Sequence, residues 1–353
     1  MTTTATPPGV NYDNVFRWFA ANVPGGGDAP LSFQMIGDGR SNITYLVSNG
    51  NQEWVMRRPP LGHVLPTAHD MAREYRVQKA LWETGVPVTR MVALCEDNSV
   101  NDYPFYVMEY RDGVIVVNEI PEGYADTLEQ RHAMSIALVE TAVKLHAVDY
   151  EKVGLAAHGR PEGYLERQVG RWSKQWDANK TRELPAIDEV IRRLTAHIPE
   201  SPAPTIVHGD YRLGNMILAK DDPGKVDAIL DWEMSTLGDP LSDIGYTLVY
   251  WGDEGDPENR VKIRPTAKVT AKPGFLDRKQ IVEEYEKRSG RDASAIAFYE
   301  AFANYKLAVI TEGIYMRSLK GQTTFDGGAG GYESAAPNLV GMALEQLDAA
   351  GMS

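Results

Sequence analysis

His208-Gly-Asp210-Tyr-Arg-Leu-Gly-Asn215 and, a turn and a strand later, Asp231-Trp-Glu233 are the stretches on which the reading of this 353-residue chain turns. Short apolar runs flank them. Thr205-Ile-Val207 and Val226-Asp-Ala-Ile-Leu230 are brief and rich in β-branched residues, which predicts strands. Asp210, Asn215 and Asp231 then fall on loops just after or between strands, where side chains converge on one ligand. Three oxygen-bearing side chains so placed suit a hard cation, because Mg²⁺ takes one or two carboxylates and completes its shell with waters and substrate phosphates.

Upstream the chain reads as strands with one helix. Gln34-Met-Ile, the polar turn Gly37 to Asn42, and Ile43 to Val47 predict strand, tight turn, strand. Trp54 to Arg58 is a third strand, stopped by Pro59 and Pro60. Thr67 with Asp70 resembles a capping box, and Met71, Tyr75 and Trp82 recur at helical spacing until Gly85. Val88 to Leu94 and Phe105 to Tyr110 complete a small, mostly antiparallel sheet. Beyond Gly113 the pattern turns helical, with helices expected over 126–147 (core stripe Ile136, Val139, Val143, His146), 162–178, 185–198, 276–288, 296–320 and from about Ala336. Phe325 to Gly331 is expected to be a loop. These elements predict an α+β chain in two lobes, residues 1–112 and 113–353, with a hinge at about 105–113.

An Asp five residues before an Asn is the spacing of the kinase catalytic loop, in which the Asp accepts the proton of an attacking hydroxyl and the Asn ligates metal. With Asp231-Trp-Glu233 downstream, the chain resembles the aminoglycoside phosphotransferase superfamily of kinase-like enzymes, whose signature is HGDxxxxN followed by DWE or DxD. The string from Asp231 to Asp243 is most similar to the branch that includes kinase-like domains fused to some acyl-CoA dehydrogenases. The resemblance covers about residues 30–320. It implies a two-lobed protein-kinase-like fold, with a small antiparallel sheet lobe and a larger, mainly helical one. It also implies Asp210 as catalytic base, Asn215 and Asp231 as Mg²⁺ ligands, His208 as a support of the loop and Asp243 as a tie to the following helix. Trp232 is read as core or lid.

On the nucleotide side, the family's phosphate-covering turn corresponds to Gly37, Gly39, Ser41 and Asn42, although a full GxGxxG is lacking. The third-strand cation of the family is lysine, whereas this chain has Arg57 and Arg58. Alternation and alignment select Arg57, and a one-residue slip would select Arg58. Glu74 is the expected carboxylate partner of that cation. In the hinge-like segment, Glu109 and Arg111 are expected to offer main-chain contacts to adenine, with Met108 at the back of the pocket.

Lys plus Arg total 36 and Asp plus Glu 49, and the resulting net charge of −13 disfavours binding along a nucleic-acid backbone. It would suit a polycationic aminoglycoside. Against that, Val261 to Lys272 carries four basic residues and no acid, a run able to receive the phosphates of a coenzyme A thioester. One cysteine, Cys95, makes neither an internal disulfide nor a Cys-based zinc site. The start, MTTTATPPGV, lacks a basic n-region and an apolar h-region and reads as a frayed end. No apolar run approaches the ~20 residues of a membrane span, so a cytoplasmic protein without membrane partner is expected. The expected activity is Mg²⁺-dependent transfer of the γ-phosphoryl of ATP or GTP to a small-molecule hydroxyl, with a hydroxyacyl-CoA-like acceptor favoured. The alternatives are an aminoglycoside O-phosphotransferase, a catalytically silent nucleotide-binding module, to which the arginine substitution points, and a phosphohydrolase using the same carboxylates.

Overall fold

The computed structural model describes residues 7–37, 42–61, 69–257, 260, 265–321 and 332–353. The expectations placed on Gly39, Ser41, Thr67, the first part of the basic run and the loop 325–331 lie outside the described residues.

The first element is a helix, α1 (Tyr12–Asn22), capped by the Asn11 side chain, which accepts from the Asn14 amide. Val15 and Phe19, four residues apart, are its buried face. Strands β1 (Ser32–Ile36), β2 (Ile43–Ser48) and β3 (Glu53–Arg58) form antiparallel neighbours, with Ile36 opposite Thr44 and Ser48 opposite Glu53. Next come α2 (Met71–Leu81), β4 (Met91–Cys95), the short α3 (Asn98–Asn101) and β5 (Phe105–Glu109). The sheet order is β1-β2-β3-β5-β4, and every pair is antiparallel. Asp70 caps α2, accepting from the Arg73 amide at 2.9 Å.

Each face of this sheet carries its own apolar cluster. Trp54, Met56, Phe105 and Val107 point toward Val15 and Phe19 of α1. Val55, Tyr106 and Met108 point the other way, toward Met71 of α2. Because side chains alternate along β3, Arg57 shares the α2 face with Val55, while Arg58 turns to the α1 side. There Arg58 donates to the Gly9 and Pro59 carbonyls and lies over the Tyr103 ring. The buried stripe of α2 is Met71, Glu74, Val77, Gln78 and Leu81; Trp82 is 37% exposed, so it is not part of the expected stripe.

The remainder is mainly helical. It contains α4 (Leu128–His146), α5 (Tyr164–Asn179), α6 (Pro185–Ala196), α7 (Leu241–Tyr250), α8 (Pro265–Thr270), α9 (Arg278–Ser289), α10 (Ile296–Leu319) and α11 (Ala335–Ala349). Thr127 and Gln130 form a capping box on α4. The 24-residue α10 is apolar nearly all round, the pattern of a buried helix, and packs on α5, α7 and α11. Gly245 lets α7 approach α10, since a Cβ there would meet the Tyr299 backbone at 2.6 Å. Four short strands lie between α6 and α7: β6 (Thr205–Val207) pairs with β9 (Thr236–Gly238), and β7 (Met216–Leu218) with β8 (Val226–Ile229). The loops from β6 to β7 and from β8 to β9 therefore emerge side by side.

Phe19 is fully buried and meets Trp18 and Trp54 edge to face, so α1 forms part of the sheet's core. Phe19→Ala is expected to cost about 3–5 kcal/mol, read as a lower urea midpoint at unchanged m-value. A change below about 1 kcal/mol would mean that α1 is dispensable to the sheet.

Candidate active site

The loop after β6 is held by buried hydrogen bonds. Gly209 has φ of +85°, and a Cβ there would meet the Met234 carbonyl oxygen at 2.7 Å, so glycine is required. Asp243, fully buried at the start of α7, accepts from the amides of His208 at 2.7 Å and Gly209 at 2.8 Å. Burial pushes the Asp243 carboxyl up, but His146 and the His208 amide outweigh it and hold the group below its ordinary value. His146 is held in turn by the Tyr285 hydroxyl at 2.9 Å. His208 is also fully buried; its Nδ1 accepts from the Asp210 amide at 3.2 Å and its Nε2 donates to the Leu230 carbonyl at 2.9 Å. Both ring nitrogens are thus spent on backbone groups. Trp232 packs against that ring as core.

Asp210 and Asn215 lie together. Asn215 Nδ2 donates to the Asp210 carboxylate at 2.7 Å and to its carbonyl at 2.9 Å, and Arg212 Nε reaches the other carboxylate oxygen at 3.2 Å. Among the described residues no hydrogen bond engages Asn215 Oδ1. Burial pulls the Arg212 guanidinium down, yet Asp210 and the rings of Tyr250 and Tyr246 leave it above its ordinary value.

Asp231, after β8, adopts a left-handed backbone conformation with φ of +69°, a region that aspartate tolerates better than most residues. Its carboxylate meets Arg57 from the sheet lobe: Nη2 to Oδ1 is 2.6 Å. Arg57 Nε also pairs with Glu74 at 3.1 Å, and Glu233 stands 3.9 Å away. Burial draws the Arg57 guanidinium down, but Glu74 with Tyr106, Asp231 and Glu233 raises it well above its usual value. Asn42 spans the same gap, donating to Glu74 at 2.8 Å and Glu233 at 3.2 Å while accepting from His69 at 2.8 Å. Asn42 is therefore a bridge between the sheet and the loop after β8. Arg73 adds a strap from α2, donating to the carbonyls of Ser235, at 2.7 Å, and His158.

The remaining expected residues lie at the edges of this cluster. Gly37, with φ of +79°, ends β1. Met108 is buried on β5, its sulfur accepting from Thr89 at 3.0 Å. The Glu109 amide donates to the Arg90 carbonyl at 2.9 Å, so that N–H is already spent. The Glu109 carboxylate pairs with Arg90 and Arg111, and Arg111 lies over Trp82. Of the basic run, Lys268 and Lys272 are exposed on and just after α8.

Sequence reasoning assigned no role to Glu233, His69, Arg73, Arg212 or Lys306. Lys306 sits in α10, 8% exposed, with its ammonium 2.5 Å from the Gly209 carbonyl and 4.4 Å above the Tyr246 ring. Burial lowers it to about 8. The signal was available, since Lys306 is the one charged residue in the string Phe302-Ala-Asn-Tyr-Lys-Leu-Ala-Val309.

A small antiparallel sheet joined to a helical lobe, with Asp210, Asn215 and Asp231 beside an interlobe Arg–Glu pair, defines the architecture of a kinase-like phosphotransferase. The chain belongs to the phosphotransferase enzyme family, which it matches over residues 32–264. It is 35% identical over 307 residues to mouse acyl-CoA dehydrogenase family member 10, covering 84% of this chain and 27% of that protein. To rat acyl-CoA dehydrogenase family member 11 it is 34% identical over 310 residues, covering 86% and 39%. The chain thus spans less than half the length of these two curated relatives. A solved Ralstonia eutropha JMP134 protein, assigned to the aminoglycoside phosphotransferases, superposes with a TM-score of 0.80 at 34% identity, covering 96% of this chain and 98% of that one. No helix among the described residues is long and apolar enough to cross a membrane.

Asp243→Asn replaces one of two accepting oxygens with an N–H₂ group facing a backbone N–H. It is expected to lower stability by about 2–3 kcal/mol and to speed hydrogen exchange at the His208 and Gly209 amides. Unchanged exchange there would remove Asp243 as the tether of the loop.

Proposed function

We propose that the protein is a Mg²⁺-dependent kinase that moves the γ-phosphoryl group of ATP or GTP to a hydroxyl of a small molecule. The observation that carries this reading is the pairing of Asp210 with Asn215 on a loop anchored by Asp243, facing an Arg57-bound Asp231. Asp210 orients the acceptor and takes its proton as the new O–P bond forms and the bond to the leaving nucleoside diphosphate breaks. Arg212, 3.2 Å from one carboxylate oxygen of Asp210, fixes its direction. His208 keeps the loop in register through backbone bonds and takes no part in the proton transfer, since both its ring nitrogens are engaged by the backbone.

The donor set fits Mg²⁺, which favours one or two carboxylates with waters and phosphates. Asp231 supplies the carboxylate, and Asn215, with Nδ2 spent on Asp210, supplies Oδ1. When bound there, the ion would offset the charge of the phosphates. Arg57, released from Asp231 as the ion takes its place, would contact the phosphates while Glu74 retains it. The segment at 105–113 joins the lobes, with the Glu109 carbonyl and the Arg111 main chain reading the base in front of Met108, and Gly37 and Asn42 lie on the phosphate side.

For the acceptor we favour a hydroxyacyl-CoA-like metabolite. The two mammalian relatives are named for acyl-CoA dehydrogenases, and Lys268 and Lys272 leave basic surface beside α8 for coenzyme phosphates. The aminoglycoside alternative draws on the assignment of the Ralstonia protein.

Mg²⁺ with ATP or GTP at ~100 times its dissociation constant is expected to add about 2.7 kcal/mol to the folded state. No shift with either nucleotide would favour a silent module. Asp210→Asn is expected to lower turnover by about 10²- to 10⁴-fold while retaining that stabilisation. Undiminished turnover would remove Asp210 as the base, and phosphate release without an acceptor would support a hydrolase.

A further inference from the structure

Beside Gly209 the helical lobe opens a shallow recess with room for about one water molecule, the size of a single carbonyl oxygen. Tyr164 and Gln168 from α5, Tyr246 from α7, and Phe302 and Lys306 from α10 line it. Among the described residues no carboxylate lies within ion-pair distance of Lys306. Its ammonium meets the Gly209 carbonyl and the faces of Tyr246, at 4.4 Å, and Trp172, at 5.7 Å. An ammonium has three donors, and only one is spent here. Burying a cation without an anionic partner is costly, and aromatic faces offset only part of that cost. Burial lowers the group to about 8, with Asp210 and Asp243 drawing it up and Arg171 pushing it down, so it stays charged at neutral pH. A charged donor is thus held one residue from Asp210, facing a recess with aromatic walls.

We propose that Lys306 selects the acceptor by hydrogen-bonding the acyl carbonyl oxygen of a hydroxyacyl thioester, which sets the substrate hydroxyl against Asp210. The recess admits the carbonyl oxygen alone, and Tyr164, Tyr246 and Phe302, all buried, wall it off from water. A polycationic amino sugar meets repulsion at Lys306 and no carboxylate in the lining, so the same residue selects against it. The proposal rests on the kinase reading above and adds to it the group that the pocket recognises.

The test crosses two substrate changes with two protein changes. The acceptors are 3-hydroxybutyryl-CoA and 4-hydroxybutyryl-CoA, and the corresponding CoA thioethers, which keep the hydroxyl and lack the carbonyl. The proteins are wild type, Lys306→Met and Lys306→Arg, each first checked for Mg-nucleotide stabilisation. On the better thioester, Lys306→Met is expected to raise the acceptor KM about 10- to 100-fold, with Lys306→Arg recovering part of the loss. On the thioether the wild-type and Met proteins should have the same KM, the coupling of a double-mutant cycle. Equal losses on thioester and thioether would mark Lys306 as a support of Gly209 alone and overturn the proposal. So would wild-type preference for kanamycin, a lower KM for free 3-hydroxybutyrate, or transfer to neither thioester by protein that binds nucleotide. Should Lys306→Met fail to fold, wild type alone decides: a thioether KM about tenfold or more above the thioester KM supports the contact, and equal values remove it. Absence of nucleotide stabilisation in wild type is a separate result, which would sink the kinase reading and this proposal with it.

Discussion

A guanidinium buried between two lobes needs carboxylates from both, and Arg57 has them. Glu74 comes from α2 and Asp231 and Glu233 from the loop after β8, so one side chain ties the sheet to the helical lobe. Removing one carboxylate would leave charge stranded in a water-poor gap, a situation far more costly than losing an exposed ion pair. The position of α2 follows from that demand. Glu74 is held by Tyr106 from the sheet and by Asn42, while Arg73 straps the same helix to the Ser235 carbonyl. The relative placement of nucleotide-side and acceptor-side residues is thereby an electrostatic matter as much as one of packing.

The chemistry-bearing stretches were legible because their function needs fixed residue types at fixed spacing: the Asp210 to Asn215 interval, the strand ends before His208 and Asp231, and the acid of α7. Most helices and sheet strands were legible from periodicity, and alternation along β3 put Arg57, not Arg58, toward α2. Other features were not read from the sequence alone. Helix α1 went unread although Tyr12, Val15, Phe16 and Phe19 recur at helical spacing, because the segment precedes the strands and motifs that drew the reading. Strands β7 and β9 have three residues each and acquire their identity from partners distant in the chain. The α2 stripe was misplaced onto Trp82 because Glu74 and Gln78, polar by type, are buried by interlobe bonds. Tertiary contacts, absent from any local window, decide such positions.

Bulk charge was a poor guide to the site for the same reason. A net charge of −13 describes mainly exposed surface, whereas Asp210 has beside it Arg212, half-buried over Tyr250, and Lys306, buried against Tyr246. At the Debye lengths of ordinary buffers, distant surface acids are screened, while cations a few ångströms from Asp210 act at nearly full strength. The charges that act on the loop are therefore its own neighbours, Arg212 and Lys306 with Asp210 and Asp243, and not the surface total.

The exchange of lysine for arginine on β3 has a structural rationale. An ammonium is a point charge, whereas a guanidinium presents donors along two edges of a plane. Arg57 uses both, with Nε toward Glu74 and Nη2 toward Asp231, and thereby engages two carboxylates that approach from different lobes. On the proposed reading, phosphate oxygens would take the Asp231 side of the fork, leaving Asp231 to hold the metal ion, while Glu74 would keep the other side. The arginine thus orders the gap before nucleotide arrives and retains a planar fork suited to phosphate afterwards. On that physical ground, arginine at this position is compatible with phosphoryl transfer and does not by itself mark a dead site.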